Sequence, residues 1–146
     1  MLQRIQSIFL ALAAAASFGA LGLPFATTTQ AVKGSMIFSD GAYSVQDQIA
    51  LLVLFAVGGA LSLAGIFLFR NRATQMRLSI FALIANLIGI VFGVIFFMQN
   101  SNDVGDNMIK DGIGAYLPIA ALVFLLLAYR FINKDEKLVR SMDRLR

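Results

Sequence analysis

Cysteine and histidine are absent from this chain of 146 residues, and only 14% of its residues are charged. Without cysteine there is no disulfide framework, no thiolate metal site and no catalytic thiol. Without histidine there is no imidazole general base, no haem axial histidine and no serine triad of the usual kind. These absences favour a protein that is not an enzyme, and no cofactor is expected.

Hydrophobic residues make up 59% of the chain, well above the share found in soluble proteins. A helix that crosses the hydrocarbon core of a bilayer needs roughly 20 apolar residues. Four segments meet that length, and the last carries Arg130 near one end, where the side chain can extend to the headgroups. They are residues 5–26, 49–69, 78–98 and 113–132. The sequence therefore predicts an all-α integral membrane protein, with a bundle of four transmembrane helices in one domain over residues 1–132.

The first segment also has features of a signal peptide. Arg4 provides a short positive region, and the small residues Ala13–Ala16 suit a cleavage site. Apolar character continues well past that site, to Phe25. We therefore expect this segment to remain in the protein as its first span.

The Lys and Arg residues are unevenly divided between the two sides of the predicted bundle. All except Lys33 and Lys110 fall on the side that holds both termini and the loop between spans two and three. Because cytoplasmic loops carry the excess of positive residues, both termini and that loop are expected in the cytoplasm. The positive charges that give the net charge of +4 therefore border the spans and reflect the orientation of the protein, so nucleic acid is not an expected partner. Anionic lipid at the cytoplasmic face is an expected partner.

The long outer loop between spans one and two, residues 27–48, contains a candidate short β-hairpin. Residues 36–38 and 42–45 flank Asp40-Gly41, a dipeptide that suits a tight turn with positive φ. A two-stranded hairpin is marginally stable in water, so it would have to lie on the spans or on a partner. The acidic residues of the outer loops fit no calcium-loop spacing, and no metal site is expected.

Residues 133–146 follow the last span and alternate basic side chains with apolar ones along one helical face. They are expected to form a basic, amphipathic cytoplasmic tail with a short surface helix. Such a tail would attract anionic lipid. A docking site for a cytoplasmic protein is the alternative.

Small residues recur at four-residue steps in spans two and three, a pattern that lets helix backbones approach closely. The partner helix can belong to this chain or to another, although four short helices with short loops favour an internal bundle without a cavity. Asn86 is the one strongly polar side chain near the middle of a span, and its amide is expected to form an interhelical hydrogen bond. A ligand contact by that amide has less support, because no ionisable residue lies deep in any span. The helix-packing candidates are Ala85, Asn86, Gly89 and Gly93 in span three, with Gly58, Ser62 and Gly65 in span two.

Two stretches, Met1–Leu10 and Ile66–Leu78, together resemble a Bacteroidetes-type family of small four-span inner-membrane proteins, a domain of unknown function. Since that family has no agreed activity, the resemblance implies a fold and a bacterial inner-membrane location but no catalytic residue. It also implies a polar cluster at the cytoplasmic face, which would either tie the first span to the inner loop or present a surface to a partner. Arg4, Gln6, Asn71 and Gln75 match the family pattern, and Arg70, Arg72 and Arg77 complete the predicted polar cluster.

The favoured function is a non-enzymatic accessory or scaffold subunit of a bacterial inner-membrane complex, with other membrane-protein subunits as partners. This hypothesis rests on small-residue faces able to pack on other helices and on the lack of deep charges. The alternative is a small transporter or a protein that binds lipid or another hydrophobic ligand. It requires an apolar groove near Asn86 or the glycine faces, and a sealed bundle would exclude it.

Overall fold

The computed structural model describes residues 2–29, 31, 37–69, 71–101, 104 and 109–143. Within them, four helices are long and apolar enough to cross a membrane. The helices are α1 (Leu2–Gly22), α2 (Ile49–Phe67), α3 (Arg72–Ser101) and α4 (Tyr116–Asp143). The predicted fold class is confirmed: this is a multi-pass, all-α membrane protein with a four-helix bundle.

The helices form a closed ring in which each one packs on two neighbours. Helix α1 contacts α2 and α4, and α3 contacts the same two helices from the other side. One end of the ring carries a small β-sheet and is called the sheet end. The opposite end holds the start of α1, the turn between α2 and α3 and the last turns of α4, and is called the termini end.

Small and aliphatic side chains fill the interior of the ring near the termini end, buried aromatic side chains such as Phe55 also fill it near the sheet end, and large apolar side chains cover the outside. Leu10 and Ala13 of α1 pack with Ala82 of α3 and with Leu125 and Ala128 of α4, all fully buried. The exposed apolar side chains include Ile8, Val53, Phe81, Val94 and Leu126. A helix bundle that is apolar both inside and outside is suited to a lipid solvent.

The helix ends differ from the predicted span ends for identifiable reasons. Helix α1 ends at Gly22 rather than near residue 26, since Leu23 precedes Pro24 and a residue before proline avoids the helical region. Helix α3 begins at Arg72, before the apolar run itself, because its polar first turns lie at the termini end. Pro118 falls in the first turn of α4, where no backbone N–H is needed.

The basic tail is not a separate surface helix. Helix α4 continues through Ile132 without a break as far as Asp143, so the tail's described part is the last third of α4. With 28 residues and a rise of about 1.5 Å per residue, α4 is about 42 Å long. It therefore exceeds the hydrocarbon thickness of about 30 Å.

The sheet has three short strands, β1 (Ala26–Thr28), β2 (Ala42–Tyr43) and β3 (Ile109–Asp111). Strand β1 lies in the middle and pairs antiparallel with both others, with Ala26 opposite Tyr43 on one side and Asp111 on the other. The loop after α1 is thus joined both to the start of α2 and to the loop before α4. These pairings close the sheet end of the ring.

The predicted tight turn in the first long loop is present, but its strand partner differs. Gly41 has φ of 84°, a conformation that glycine adopts without a Cβ clash. The strand after it, β2, pairs with β1, and among the described residues it does not pair with Ile37 or Phe38. Ile37 and Phe38 are consecutive and both buried, at 1% and 0% exposure. In a strand, neighbouring side chains point to opposite faces, so one of the two would usually be exposed. Two buried neighbours are easier to accommodate in the bend that the structure shows at residues 37–38. Met36 lies outside the described residues.

Candidate functional site

Asn86 lies at the centre of the bundle, fully buried. Its Oδ1 accepts a hydrogen bond from Ser17 Oγ at 3.0 Å, which joins α3 to α1 across the ring. Its Nδ2 donates to the carbonyl oxygen of Ala82, one turn earlier on α3, at 2.9 Å. Both ends of the amide are therefore engaged within the protein, and the side chain serves packing between helices.

The small residues of α2 give this amide and its neighbours their space. Nδ2 of Asn86 occupies the position that a Cβ on Gly58 would take, so only glycine fits there. Ser62 Oγ donates back to the Gly58 carbonyl at 2.8 Å. At Gly65 a Cβ would lie 3.3 Å from Leu10 of α1. The small-residue face of α2 thus packs against α1 and α3 of the same chain.

The small residues of α3 behave in two ways. Ala85 is 9% exposed, and at Gly89 the ring of Phe55 would stand 2.8 Å from an added Cβ. At Gly93 the nearest atoms would be 3.8 Å from a Cβ, among them the hydroxyl of Tyr43. Helix α3 is therefore tightly packed at Gly89, whereas one turn later, at Gly93, a Cβ would fit in ordinary contact with its neighbours.

An apolar groove of about 200 Å³, lined in part by Gly93, lies between the second half of α3 and the start of α4. Val94 and Asp111 are exposed members of its lining, so the groove reaches the surface of the bundle. Asp111 is the one charged residue among the lining residues. The groove lining comprises Phe25, Ala26, Tyr43, Phe55, Gly89, Ile90, Gly93, Val94, Phe97, Asp111, Ala115 and Pro118.

Aromatic rings form the inner wall of the groove. Phe25 lies edge-on to Tyr43 and to Phe55, with ring centroids 5.7 Å and 6.0 Å apart. The hydroxyl of Tyr43 donates to the carbonyl oxygen of Gly93 at 3.0 Å. Burial, with a further contribution from the Asp47 carboxylate, raises the pKa of Tyr43 to about 12. Tyr43 is thus a neutral hydrogen-bond donor already used by the protein, and the wall offers apolar contact.

At the termini end, the polar cluster does not converge on one point. Gln6 Nε2 donates to the Phe131 carbonyl of α4 at 3.1 Å, and Gln75 Nε2 donates to the Gly65 carbonyl of α2 at 3.0 Å. Asn71 Oδ1 accepts from the backbone N–H of Thr74 at 3.2 Å and caps the start of α3. The first span is tied to α4 by Gln6, whereas the sequence suggested a tie to the inner loop.

The remaining members of the polar cluster lie apart from those contacts. Arg72 Nε lies 2.9 Å from Asp135 Oδ2, although its N–H does not point at that oxygen, so the two form an ion pair without an aligned hydrogen bond. Arg77 is exposed. Arg70 and the side chain of Arg4 lie outside the described part of the chain. The contacts hold helix pairs together at separate places and leave no shared polar pocket.

Three residues that matter here are not evident as functional from sequence alone. Ser17 and Asp135 are buried at 0% and 8% exposure, and Phe55 fills the space above Gly89. Asp135 continues the buried row of Ala128 and Ile132 at helical spacing, which is the signal that could have revealed it. Ser17 and Phe55 are indistinguishable from other residues of their apolar spans, so their roles depend on the packing of neighbouring helices.

The described residues contain no group of three or more Asp, Glu, His or Cys that could hold a metal ion. A model of a protein family, Domain of unknown function (DUF4293), matches residues 2–145. The chain belongs to this family. No curated protein and no solved structure matches it.

Proposed function

We propose that this member of a family of unknown function is a non-enzymatic membrane protein that binds an alkyl chain of a lipid in the apolar groove. The observation that carries the proposal is the groove itself, which lies over Gly93 and is almost wholly apolar. A bundle that served only as packing would fill this place with a side chain. Here the groove is lined by Gly93 and by a wall of aromatic rings, and no side chain of the described residues fills it.

The position of the groove along α3 suits an acyl chain. Gly93 is eight residues before Ser101, the end of α3, which places it about 12 Å along the helix axis. The hydrocarbon core is about 30 Å thick, so the groove lies within one leaflet at the depth of acyl chains. Its mouth would therefore face hydrocarbon, from which an alkyl chain can enter sideways.

The size of the groove limits its occupant. Pockets for drug-sized ligands measure about 300–1,000 Å³. At about 200 Å³, this one is large enough for part of a single alkyl chain and too small for a bulky ring system. The ligand class that fits is a lipid acyl chain or a similarly slender apolar group.

The distribution of basic residues supports an orientation and a membrane. Among the twelve Lys and Arg, only Lys33 and Lys110 fall in the segments that connect α1 to α2 and α3 to α4, which supports a cytoplasmic position for the termini end. The groove then opens into the outer leaflet. Bacterial outer-membrane proteins span as β-barrels, and four apolar helices instead support the inner membrane of a bacterium.

A role as accessory or scaffold subunit is the second proposal. Its support is the continuous apolar exterior of the bundle, to which another membrane protein could bind. The small-residue faces no longer support it, because Gly58, Gly65 and Gly89 accommodate side chains of this chain. Purification in mild detergent tests this role: a stoichiometric membrane-protein partner is expected, and a lone monomer would contradict it.

The groove proposal is tested with phosphatidylcholine that carries a photoreactive diazirine in one acyl chain. Full-length protein is reconstituted into bilayers with this lipid and illuminated, and the labelled residues are mapped by mass spectrometry. We expect strong labelling of Phe25 and Ala115, which are half-buried in the groove. The lipid-exposed Phe81 reports labelling by ordinary surrounding lipid.

The decisive variant is Gly93→Leu, which fills the groove from its floor. A Cβ at this position would lie 3.8 Å from its nearest neighbours, an ordinary contact distance, and Gly93 lines the groove, so the further carbons of leucine take up groove volume. Gly22→Leu is the matched control, because a Cβ at Gly22 has no neighbour within 4 Å. Labelling of Phe25 should drop several-fold in Gly93→Leu and stay unchanged in the control. Equal labelling of Phe25 in both variants would overturn the proposal.

A further inference from the structure

One face of α4 changes from apolar to basic within a single turn. Ile119, Val123 and Leu126 are 52%, 50% and 54% exposed and lie on the side facing away from the bundle. Continuing at helical spacing, the same line of residues reaches Arg130, Lys134 and Lys137, all exposed. These three cations are called the basic stripe. They lie at the termini end, far from the groove.

The basic stripe is directly opposite the buried face of α4. That face is formed by Ala128, Ile132 and Asp135, each 8% exposed or less. The basic side chains are therefore held away from the bundle by the packing of the helix on its other side. They project outward next to the surface that contacts lipid chains.

The carboxylates of this part of α4 are engaged elsewhere. Asp135 pairs with Arg72, and Glu136 pairs with Arg140 one turn later at 2.8 Å. Within the described ranges, no carboxylate lies in ion-pair contact with a cation of the basic stripe. Among the described residues, the stripe thus carries three positive charges without a carboxylate partner, which leaves them available to an external anion.

The depth of the basic stripe matches the headgroup region. Tyr116, which is 59% exposed, begins α4 at the level where aromatic anchors lie. Arg130 follows it by about 21 Å along the helix and Lys137 by about 31 Å. If Tyr116 lies at one edge of a hydrocarbon core of about 30 Å, Lys137 lies at the opposite edge and Arg130 about 9 Å inside it, from where its long side chain can extend to the headgroups. A soluble protein would meet cations placed farther from the membrane.

We propose that the basic stripe binds the phosphate headgroup of an anionic phospholipid, whose acyl chains lie along Ile119, Val123 and Leu126. A shallow space of about 400 Å³ between the side chains of the stripe, together with Asn133 and Leu138, receives the headgroup. The three cations suit a negatively charged phosphate, and the adjacent apolar residues and the depth in the membrane suit the acyl chains of the same lipid. This site is independent of the groove, which lies at the other end of the bundle.

The test uses full-length protein in a neutral detergent, titrated with phosphatidylglycerol or with phosphatidylcholine of identical chains. Bound lipid is counted by native mass spectrometry. Wild-type protein should bind phosphatidylglycerol more tightly, and raising the salt concentration should weaken that preference. Neutralising a cation near a membrane surface should cost about fivefold in affinity, so Arg130→Gln/Lys134→Gln/Lys137→Gln should lose up to about 100-fold.

A matched control removes the same charge elsewhere. Arg77→Gln/Lys110→Gln/Arg140→Gln neutralises three exposed cations outside the basic stripe. It should keep the preference for phosphatidylglycerol within about twofold. An equal loss in both triple variants would show attraction by net charge alone and overturn the proposal.

Two further results keep the proposal open to refutation. If the stripe variant does not fold, Lys137→Gln alone, at an exposed position, should still lose about fivefold. Soluble glycerol phosphate should compete poorly, because it lacks the acyl chains that contact Leu126. Competition as strong as that of the lipid, or a wild-type protein that binds both lipids equally, would overturn the assignment.

Discussion

Replacing Gly58 by alanine tests the central packing of the bundle. The added Cβ would overlap Nδ2 of Asn86, which donates to the Ala82 carbonyl, while Oδ1 of the same fully buried amide accepts from Ser17. Asn86 is fully buried and its amide is hydrogen-bonded at both ends, so a shift of the amide breaks a hydrogen bond. The amide must either leave its partner or push α2 outward.

The expected loss of stability follows from opposing contributions. An alanine in a helix is favoured over glycine by up to about 1 kcal/mol. Overpacking a well-filled core costs about 1–3 kcal/mol, and a lost interhelical hydrogen bond in a membrane costs roughly 0.6–2 kcal/mol. The unfavourable contributions are larger, so Gly58→Ala should lower the free energy of unfolding by about 1–3 kcal/mol. Gly93→Ala, where a Cβ meets nothing closer than 3.8 Å, should lose nothing.

The assay is equilibrium unfolding of the purified protein with sodium dodecyl sulfate in mixed micelles, followed by circular dichroism. A double-mutant cycle with Asn86→Ala isolates the contact. Each single variant should be destabilised, and Gly58→Ala/Asn86→Ala should be more stable than the sum of the two changes by at least about 1 kcal/mol, since the smaller side chain removes the overlap. If the two changes add within about 0.5 kcal/mol, or if Gly58→Ala is as stable as wild type, the described packing is incorrect.

Three other perturbations have defined outcomes in the same unfolding assay. The folded-state pKa of Tyr43 is raised from 10.0 to about 12. The stability that the neutral Tyr43 hydroxyl contributes is therefore complete below pH 10 and is lost as the pH rises through about 12. Tyr43→Phe should remove this dependence of stability on pH. Asp135→Leu leaves the Arg72 cation unpaired and should cost about 1–3 kcal/mol, whereas Arg72→Met/Asp135→Leu should recover most of it; equal stability of the single and double variants would contradict the ion pair. Gln75→Met should change stability by less than about 1 kcal/mol, because the lost bond to Gly65 is offset by removal of the buried Oε1, which has no partner among the described residues; a larger loss would mean that this oxygen is hydrogen-bonded.

The four-span fold could be predicted from sequence because its signals are local. Each span is a run of apolar residues long enough to cross a bilayer, and the breaks between runs are polar. The tight turn at Gly41 is equally local, since one dipeptide specifies it. The limits of α3 and α4 were missed, because polar turns continue a helix beyond the hydrocarbon without any apolar signal.

The candidate sites depend on residues far apart in the chain and were harder to predict. Gly89 and Gly93 belong to one sequence pattern, yet Phe55 fills the first position and the second remains open. Only the placement of α2 and β2 against α3 separates the two. Likewise, the polar cluster reads as one surface in the sequence, but Gln6 and Gln75 contact different helices.

The β-sheet at one end of the ring has a consequence for how the protein is made. Strand β1 follows the first span, and its partner β3 precedes the last one. The pairing of Ala26 with Asp111 can therefore form only after the first three spans have been synthesised. A chain with three inserted spans has an unpaired strand edge and an unmatched face on α1. Such edges are prone to pair with other chains. Insertion of α4 pairs the open edge of β1 with β3 and covers the exposed face of α1 in the same step. The native structure can therefore form only after the last span has been inserted.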